Sequence, residues 1–425
     1  MTVSDITVAP RWRTHGGLPG ALLRYGTSAA GPVAVSAAHF LASLIFLHQL
    51  PAREFGLFSF VMVLVSFGMS LNVALISVPL SRNLAIGDHA SEASCFQMNW
   101  LVCAGFAAAL FAILLLSGAA LQEAGLLALF AGVFTFRWFA RCLAYVDGHV
   151  ETALRSDLTY SLVLTGSLAI LAMFHGVSFA LGSKLLLISA LAALLPFGAS
   201  FFRNQLAHLR GDLARYRPIF RDVTRWSLMG VVFTELTINA HAYLVTFISG
   251  PGAFALLALG MLLMRPASLM QSALTDLERP AMARAIGASD RMALTRIQRH
   301  FTFGLGATWL ANILLCAALL AFFPATVVRE SYSLENVIII VSICALVMAM
   351  RAFRTPLSVL LQAAGRFKEL AGIGAASAMV SLLATMSLLF VAGPALSMAG
   401  IALGELVILI LCHVAVHDWK RANHD

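Results

Sequence analysis

One stretch of the chain puts an arginine, hydroxyls and a carboxylate inside an otherwise apolar run: Arg265, Ser268, Ser272, Thr275, Asp276 and Arg279. On a helix turning about 100° per residue these side chains share an arc of about 100°. An arginine midway through a membrane span costs at least about 2.5–3.5 kcal/mol on insertion scales, so its position needs a cause. Its guanidinium is always charged and offers a fork of donors that matches phosphate oxygens. Pro266 follows and cannot donate to the carbonyl of Leu262, which predicts a kink and makes Pro266 a hinge candidate. Two readings of Arg265 stand: an anion site beside that hinge, or a structural ion pair with Glu235 or Asp276.

Other spans carry polar faces of the same kind. Ser59, Ser66, Ser70 and Ser77 are spaced by seven, four and seven residues, which places them within about 40° of one another on a helix. Small hydroxylated residues are also common where membrane helices touch, so packing is the alternative. Glu235, Asn239 and Thr246 share one face, and Ser36, His39 and Ser43 share another. Glu235 can bind a driving proton or sodium ion, or can be an internal partner of Arg265; Asp276 is a second ion-coupling candidate. His39 is read either as hydrogen-bonded packing or as a proton relay. Glu405 has no polar stripe beside it and carries less weight. Arg137, Arg141, Arg351 and Arg354 fall near one set of helix ends, where they can snorkel to the interface or meet an anionic substrate. No nucleophile constellation, metal-spaced cluster or Walker lysine motif is evident, so the reading is of a non-enzyme with no cofactor.

The elements that must position these residues are membrane helices. The chain has 425 residues, of which 60% are hydrophobic and 11% charged, with mean hydropathy +0.88. Soluble domains sit nearer 45–50% apolar and about 25% charged. About twelve apolar runs are long enough to cross a bilayer, among them 28–49, 56–80, 157–175, 253–277 and 335–360. The expected fold is therefore all-α and polytopic, in two pseudo-symmetric lobes of six spans. The divisions are a tail over 1–27, an N-lobe over 28–201, a linker over 202–221, a C-lobe over 222–417 and a tail over 418–425. In the linker, Leu206, Leu209, Leu213 and Tyr216 can form one face of an interfacial helix; a solvated linker is the alternative.

The net charge of +8 invites a nucleic-acid reading, but its placement argues against one. Of 28 Lys and Arg, only Arg53, Lys184 and Arg329 lie on one side, Arg265 is mid-span, and the other 24 lie toward the opposite side. By the positive-inside rule both termini are expected in the cytoplasm, with the basic surplus meeting anionic headgroups of the membrane lipids. The first span reads as an uncleaved anchor rather than a signal peptide. The six cysteines are scattered and lack C-x-x-C spacing, which suits packing.

The two lobes look like copies. Pro51 to Arg82 matches Pro251 to Arg284 at an offset of about 199, which sets Phe55 on Phe254, Ser66 on Arg265 and Ser77 on Asp276. The arginines at 137 and 141 match those at 351 and 354 at an offset of about 213. Copies of six spans keep the same orientation, so the axis relating them is expected along the membrane normal.

With these residues in view the chain resembles polysaccharide transporters of the Wzx type, in the multidrug/oligosaccharidyl-lipid/polysaccharide flippase superfamily. Leu50-Pro-Ala-Arg-Glu-Phe-Gly-Leu-Phe58 is similar to that family's loop after the first span, Pro266 to Pro280 resembles a stretch of the lipid II flippases, and Gln362-Ala-Ala-Gly-Arg-Phe-Lys368 also looks familial. The resemblance implies two six-helix lobes around a cavity lined chiefly by spans one, two, seven and eight. It implies a polyprenyl-diphosphate-linked oligosaccharide as substrate, moved by alternating access across the bacterial inner membrane. Polysaccharide polymerase and glycosyltransferases are the implied partners. Arg265, Ser66, Ser70, Ser268, Ser272, Asn239, His39, Arg137, Arg141 and Arg351 are then the substrate-binding candidates. The first copy has Ser66 where the second has Arg265, so the cationic surface is expected to be one-sided. The competing readings are a cation-coupled small-molecule exporter of the same superfamily and, from a different class, a membrane glycosyltransferase, polymerase or acyltransferase.

Overall fold

In lipid every backbone N–H and C=O must find its partner within the protein, which for an apolar chain of this length leaves helices. The computed structural model describes residues 18–422 apart from 78, 81–91, 148, 175, 208, 210–212 and 325–332; the side chains of 18–29, 222, 223, 226, 276, 280 and 367 also lie outside the described residues. Arg82, Arg329, both chain ends and the Asp276 side chain are thus not among them.

The first half comprises α1 (Leu18–Gln49), α2 (Ala52–Asn72, continuing as a π-helical turn Val73–Ser77), α3 (Glu92–Leu116), α4 (Leu121–Val146), α5 (Val150–Phe174), α6 (Phe179–Ala192) and α7 (Gly198–Ala207). The second comprises α8 (Arg225–Ser249), α9 (Pro251–Leu263), α10 (Arg265–Gly287), α11 (Arg291–Phe322), α12 (Leu334–Ala363), α13 (Phe367–Ser397) and α14 (Ala399–Ala422). Among the described residues no strand forms. Among the described residues eleven helical stretches are long and apolar enough to cross a membrane, α6 with α7 counting as one, and α9 with α10, bent by 53°, makes a twelfth when counted as one span.

Two boundaries differ from the sequence reading. Helix α1 starts at Leu18, ten residues earlier than expected. The sixth span runs to Ala207, a little beyond the expected end at residue 201, and is interrupted after Ala192 by a 3-10 turn containing Pro196 and by Gly198 at φ 75°. Among the described residues the linker is helical at the end of α7 (to Ala207), at Leu213–Arg215 and Tyr216–Ile219, and in the π turn that begins at Phe220. Leu206, Leu209 and Leu213 are exposed there and Tyr216 is buried; residues 208 and 210–212, on which a continuous apolar face depends, lie outside the described residues.

Each half packs on itself. Helix α1 lies on α5, α3 on α4 and α4 on α6; in the second half α13 lies on α14, α8 on α13 and α10 on α11. Between membrane helices lipid supplies no hydrophobic drive, so close approach and hydrogen bonds decide the contacts. The halves meet chiefly through α2 and α9, near their first turns. A Cβ on Gly56 would sit 1.8 Å from the Pro251 carbonyl oxygen, so only glycine allows that approach. One turn deeper, Phe60 makes edge-on contacts with Tyr243, Phe247 and Phe254 at 6.1, 5.8 and 6.4 Å between centroids. This closes the bundle at the end where α2 and α9 begin. Gly56→Val should part those ends, and spin labels at positions 52 and 253 should report a longer mean distance than in the otherwise native protein.

Candidate functional site

Both halves interrupt their second span, and in both an asparagine of the following helix secures the interruption. Pro266 removes a donor from the α9–α10 span, and the break falls at Met264. Asn312 of α11 donates to the buried Leu263 carbonyl at 3.1 Å, and the Cys316 thiol lies 3.6 Å from the same oxygen. In the first half Asn72 closes α2 just ahead of the π turn and donates to Asn99 of α3 at 2.8 Å, with Cys103 3.6 Å from that acceptor. Asn99 and Asn312 stand 213 residues apart, each followed four residues later by cysteine. The hydroxyl of Tyr216 donates to the Leu75 carbonyl inside the π turn. Such interruptions re-aim side chains within a span.

Between the halves lies a cavity of about 440 Å³. One wall carries Ser36, His39 and Ser43 from α1, Ser59 and Ser66 from α2, Arg137, Trp138 and Arg141 from α4, and Asp157 from α5. The other carries Asn239 from α8, Met261 from α9, and Arg265, Ser268 and Ser272 from α10. Thus eight of the ten substrate-binding candidates come together: Arg265, Ser66, Ser268, Ser272, Asn239, His39, Arg137 and Arg141. Ser70 does not line the cavity; its hydroxyl donates to the Ser66 carbonyl of its own helix at 3.1 Å.

Arg137 and Arg141 are not snorkelling residues. Arg137 is 1% exposed and is held from every side. Its Nε donates to Ser156 Oγ at 3.1 Å, its Nη2 donates to Asp157 Oδ1, and its guanidinium lies 5.0 Å from the ring centroids of both Phe134 and Tyr160. Arg141 Nε donates to Asp157 Oδ2 at 2.8 Å and Nη2 to the Tyr145 hydroxyl at 3.1 Å, with the Trp138 ring 4.7 Å from its guanidinium. Helix α1 comes so close that a Cβ on Gly31 would meet Asp157 Oδ2 at 2.3 Å. Two guanidiniums on one carboxylate leave a net charge of +1 in this wall. The first half is therefore cationic despite Ser66, which corrects the expectation of a one-sided surface.

Asp157 is what the sequence reading missed. The apolar run alone starts the fifth span at residue 157 and sets the carboxylate on its rim; α5 in fact begins at Val150 and carries Asp157 two turns inside. The arginines lie on the preceding helix, and the sequence does not report how the two helices pack. Tyr160, one turn further, brings its hydroxyl to 2.8 Å from His39 Nε2, so His39 is hydrogen-bonded within the first half.

Arg265 is half-buried in the opposite wall and has no hydrogen bond or ion pair among the described residues. The ion pair with Glu235 expected as one reading does not form. Glu235 instead accepts from Asn239 Nδ2 at 2.9 Å and from the Tyr243 hydroxyl, and it does not line the cavity. The Asp276 side chain lies outside the described residues. Arg351 is also placed elsewhere: its Nε donates to Glu405 Oε1 at 2.6 Å, inside the second half and away from the large cavity. Glu405 is fully buried and takes Arg354 as well, so the carboxylate without a polar stripe is a shared counter-ion.

Removing one partner of a buried pair leaves an uncompensated charge, at a cost of about 3–5 kcal/mol in proteins where it has been measured. Asp157→Asn should therefore lower the melting midpoint of the detergent-purified protein markedly. Asp157→Glu should lower it less, because the charge remains although Gly31 leaves little room.

No protein-family model matches the chain, and no curated protein matches its sequence. Solved structures do match its fold. An inward-facing multidrug resistance MATE family transporter of the MOP superfamily overlays with a TM-score of 0.67 at 14% identity, covering 91% of this chain and 96% of that one. The lipid II flippase MurJ in an inward closed conformation gives 0.66 at 12% identity, covering 92% and 87%. An outward-facing form of a multidrug resistance MATE family transporter gives 0.56 at 14% identity, covering 94% and 96%. The chain has the two-lobed membrane fold of these transporters.

Proposed function

We propose that the protein is a flippase that moves a polyprenyl-diphosphate-linked oligosaccharide across the bacterial inner membrane by alternating access, for surface polysaccharide synthesis. The observation that carries this reading is the charge of the cavity. Its lining includes three arginines (Arg137, Arg141 and Arg265) and one acid (Asp157), which leaves two net positive charges on opposite walls. A diphosphate diester carries two negative charges and presents oxygens in the geometry that guanidinium forks match. Arg137 is fully engaged, so Arg265 and Arg141 are the residues to meet it. The fold shared with a lipid II flippase agrees with this reading. In this reading both termini face the cytoplasm, and glycosyltransferases and a polymerase work on either side of the flip.

Arg265→Ala should abolish surface glycan in a deletion strain complemented at matched protein abundance, with lipid-linked repeats accumulating. Arg265→Lys should restore part of the export, because the charge returns without the fork. Normal export by the alanine variant would remove the diphosphate site.

The likeness to multidrug MATE transporters favours a second reading, a cation-coupled exporter of small molecules. The positive cavity suits anionic cargo and counts against a cationic drug. In either reading Glu235, held by Tyr243 and Asn239, is the proposed proton or sodium site. Glu235→Gln should remove the dependence of transport on an imposed ion gradient in proteoliposomes while cargo binding persists.

A further inference from the structure

A second, smaller cavity of about 70 Å³ lies within the second half. It is lined by His241 of α8, Met261 of α9, Ser268 of α10, and Cys344, Met348 and Arg351 of α12, with further apolar residues. The flanking charges do not balance. Arg351 and Arg354 share the single carboxylate of Glu405, which leaves one net positive charge beside the cavity. Both Glu405 oxygens are occupied by these arginines: Arg351 Nε and Arg354 Nη2 donate to Oε1, and Arg354 Nε donates to Oε2. Among the described residues nothing accepts from the two terminal nitrogens of Arg351. In this it differs from Arg137, which is clamped by a serine, a carboxylate and two rings.

His241 supplies the second observation. It is fully buried, and its Nδ1 has no hydrogen-bond partner. Its Nε2 has only the Met261 thioether, at 3.2 Å. Whichever ring nitrogen carries the proton, that N–H has no oxygen or nitrogen acceptor, which is costly for a buried imidazole. The Ser268 hydroxyl makes only long contacts, 3.3 Å to the Met264 carbonyl and 3.6 Å to Met348 Sδ. A guanidinium, an imidazole N–H and a hydroxyl thus border one small space whose other walls are thioethers, a thiol and aliphatic groups.

We propose that this cavity binds one small monovalent anion, a halide such as chloride, with Arg351, His241 and Ser268 as its donors. A cation is disfavoured by the residual charge. Water would satisfy the donors but leave that charge unbalanced. Phosphate is strongly hydrated and carries more charge than the cluster lacks. Because Met261 and Ser268 line both cavities, the halide would lie beside the wall that carries Arg265. This site does not depend on what the large cavity transports.

Bromide is the probe. In purified full-length protein held in gluconate at constant ionic strength, the melting midpoint should rise saturably with added bromide. Anomalous diffraction from bromide-soaked crystals should show a peak between Arg351 and His241. His241→Phe and Ser268→Ala, which leave the Arg351–Glu405–Arg354 cluster whole, should each weaken the bromide response several-fold, and Arg265→Ala should leave it unchanged. A peak absent from this cavity would overturn the proposal, as would an undiminished response in His241→Phe. Loss of the response in Arg265→Ala would place the ion in the large cavity instead, and equal stabilisation by inorganic phosphate would remove the size and charge selectivity. Neither result bears on glycan export, which Arg265 tests separately.

Discussion

Every charge and every broken backbone bond inside this bundle must be answered by another part of the protein, because lipid cannot answer it. That constraint explains most of the polar residues described above. Four arginines reach into the two halves and two carboxylates hold them, each carboxylate shared by a pair. Backbone carbonyls at the interruptions of the second and eighth spans are answered in the same way, Leu75 by the Tyr216 hydroxyl and Leu263 by Asn312. Arg265 differs from those four arginines in having no ion-pair partner among the described residues, and it bears most directly on the proposed function.

Sharing one acid between two bases has a further effect. A one-to-one pair would leave each wall neutral and fully engaged. The two-to-one arrangement stays ordered, because the acid fixes one arginine firmly, yet it leaves a surplus charge at a defined place. In the first half the surplus faces the large cavity. In the second it borders a pocket too small for an extended substrate. The two halves thus use the same basic residues to present charge to spaces of very different size.

Much of this was legible in the chain. Apolar run length and the distribution of lysine and arginine are strong signals, and they led to an all-α fold of about twelve spans. Helical periodicity groups the polar residues of each span on one face, and the resemblance implies that the first, second, seventh and eighth spans share a cavity; His39, Ser66, Asn239, Arg265, Ser268 and Ser272 line one cavity in the structure. Contacts between helices were not legible. Asp157 lies on the next helix from the arginines it holds and Glu405 two helices on from its own, and helical periodicity within one span does not report which helix packs against it. Arg351 was grouped with Arg137 because their local sequences match, yet only Arg137 borders the large cavity. Equivalence in sequence fixed a position on a helix and said nothing of what packs against it.

The acids also decide which helices are tied together. The arginine pairs occupy corresponding helices, α4 and α12, but their carboxylates come from α5 in the first half and from α14 in the second. In the first half the ion cluster therefore joins two helices that follow one another in the chain, whereas in the second it reaches past α13 to the last helix. A movement of α14 would disturb the charge beside the small pocket, and among the described residues the first half has no counterpart to that linkage.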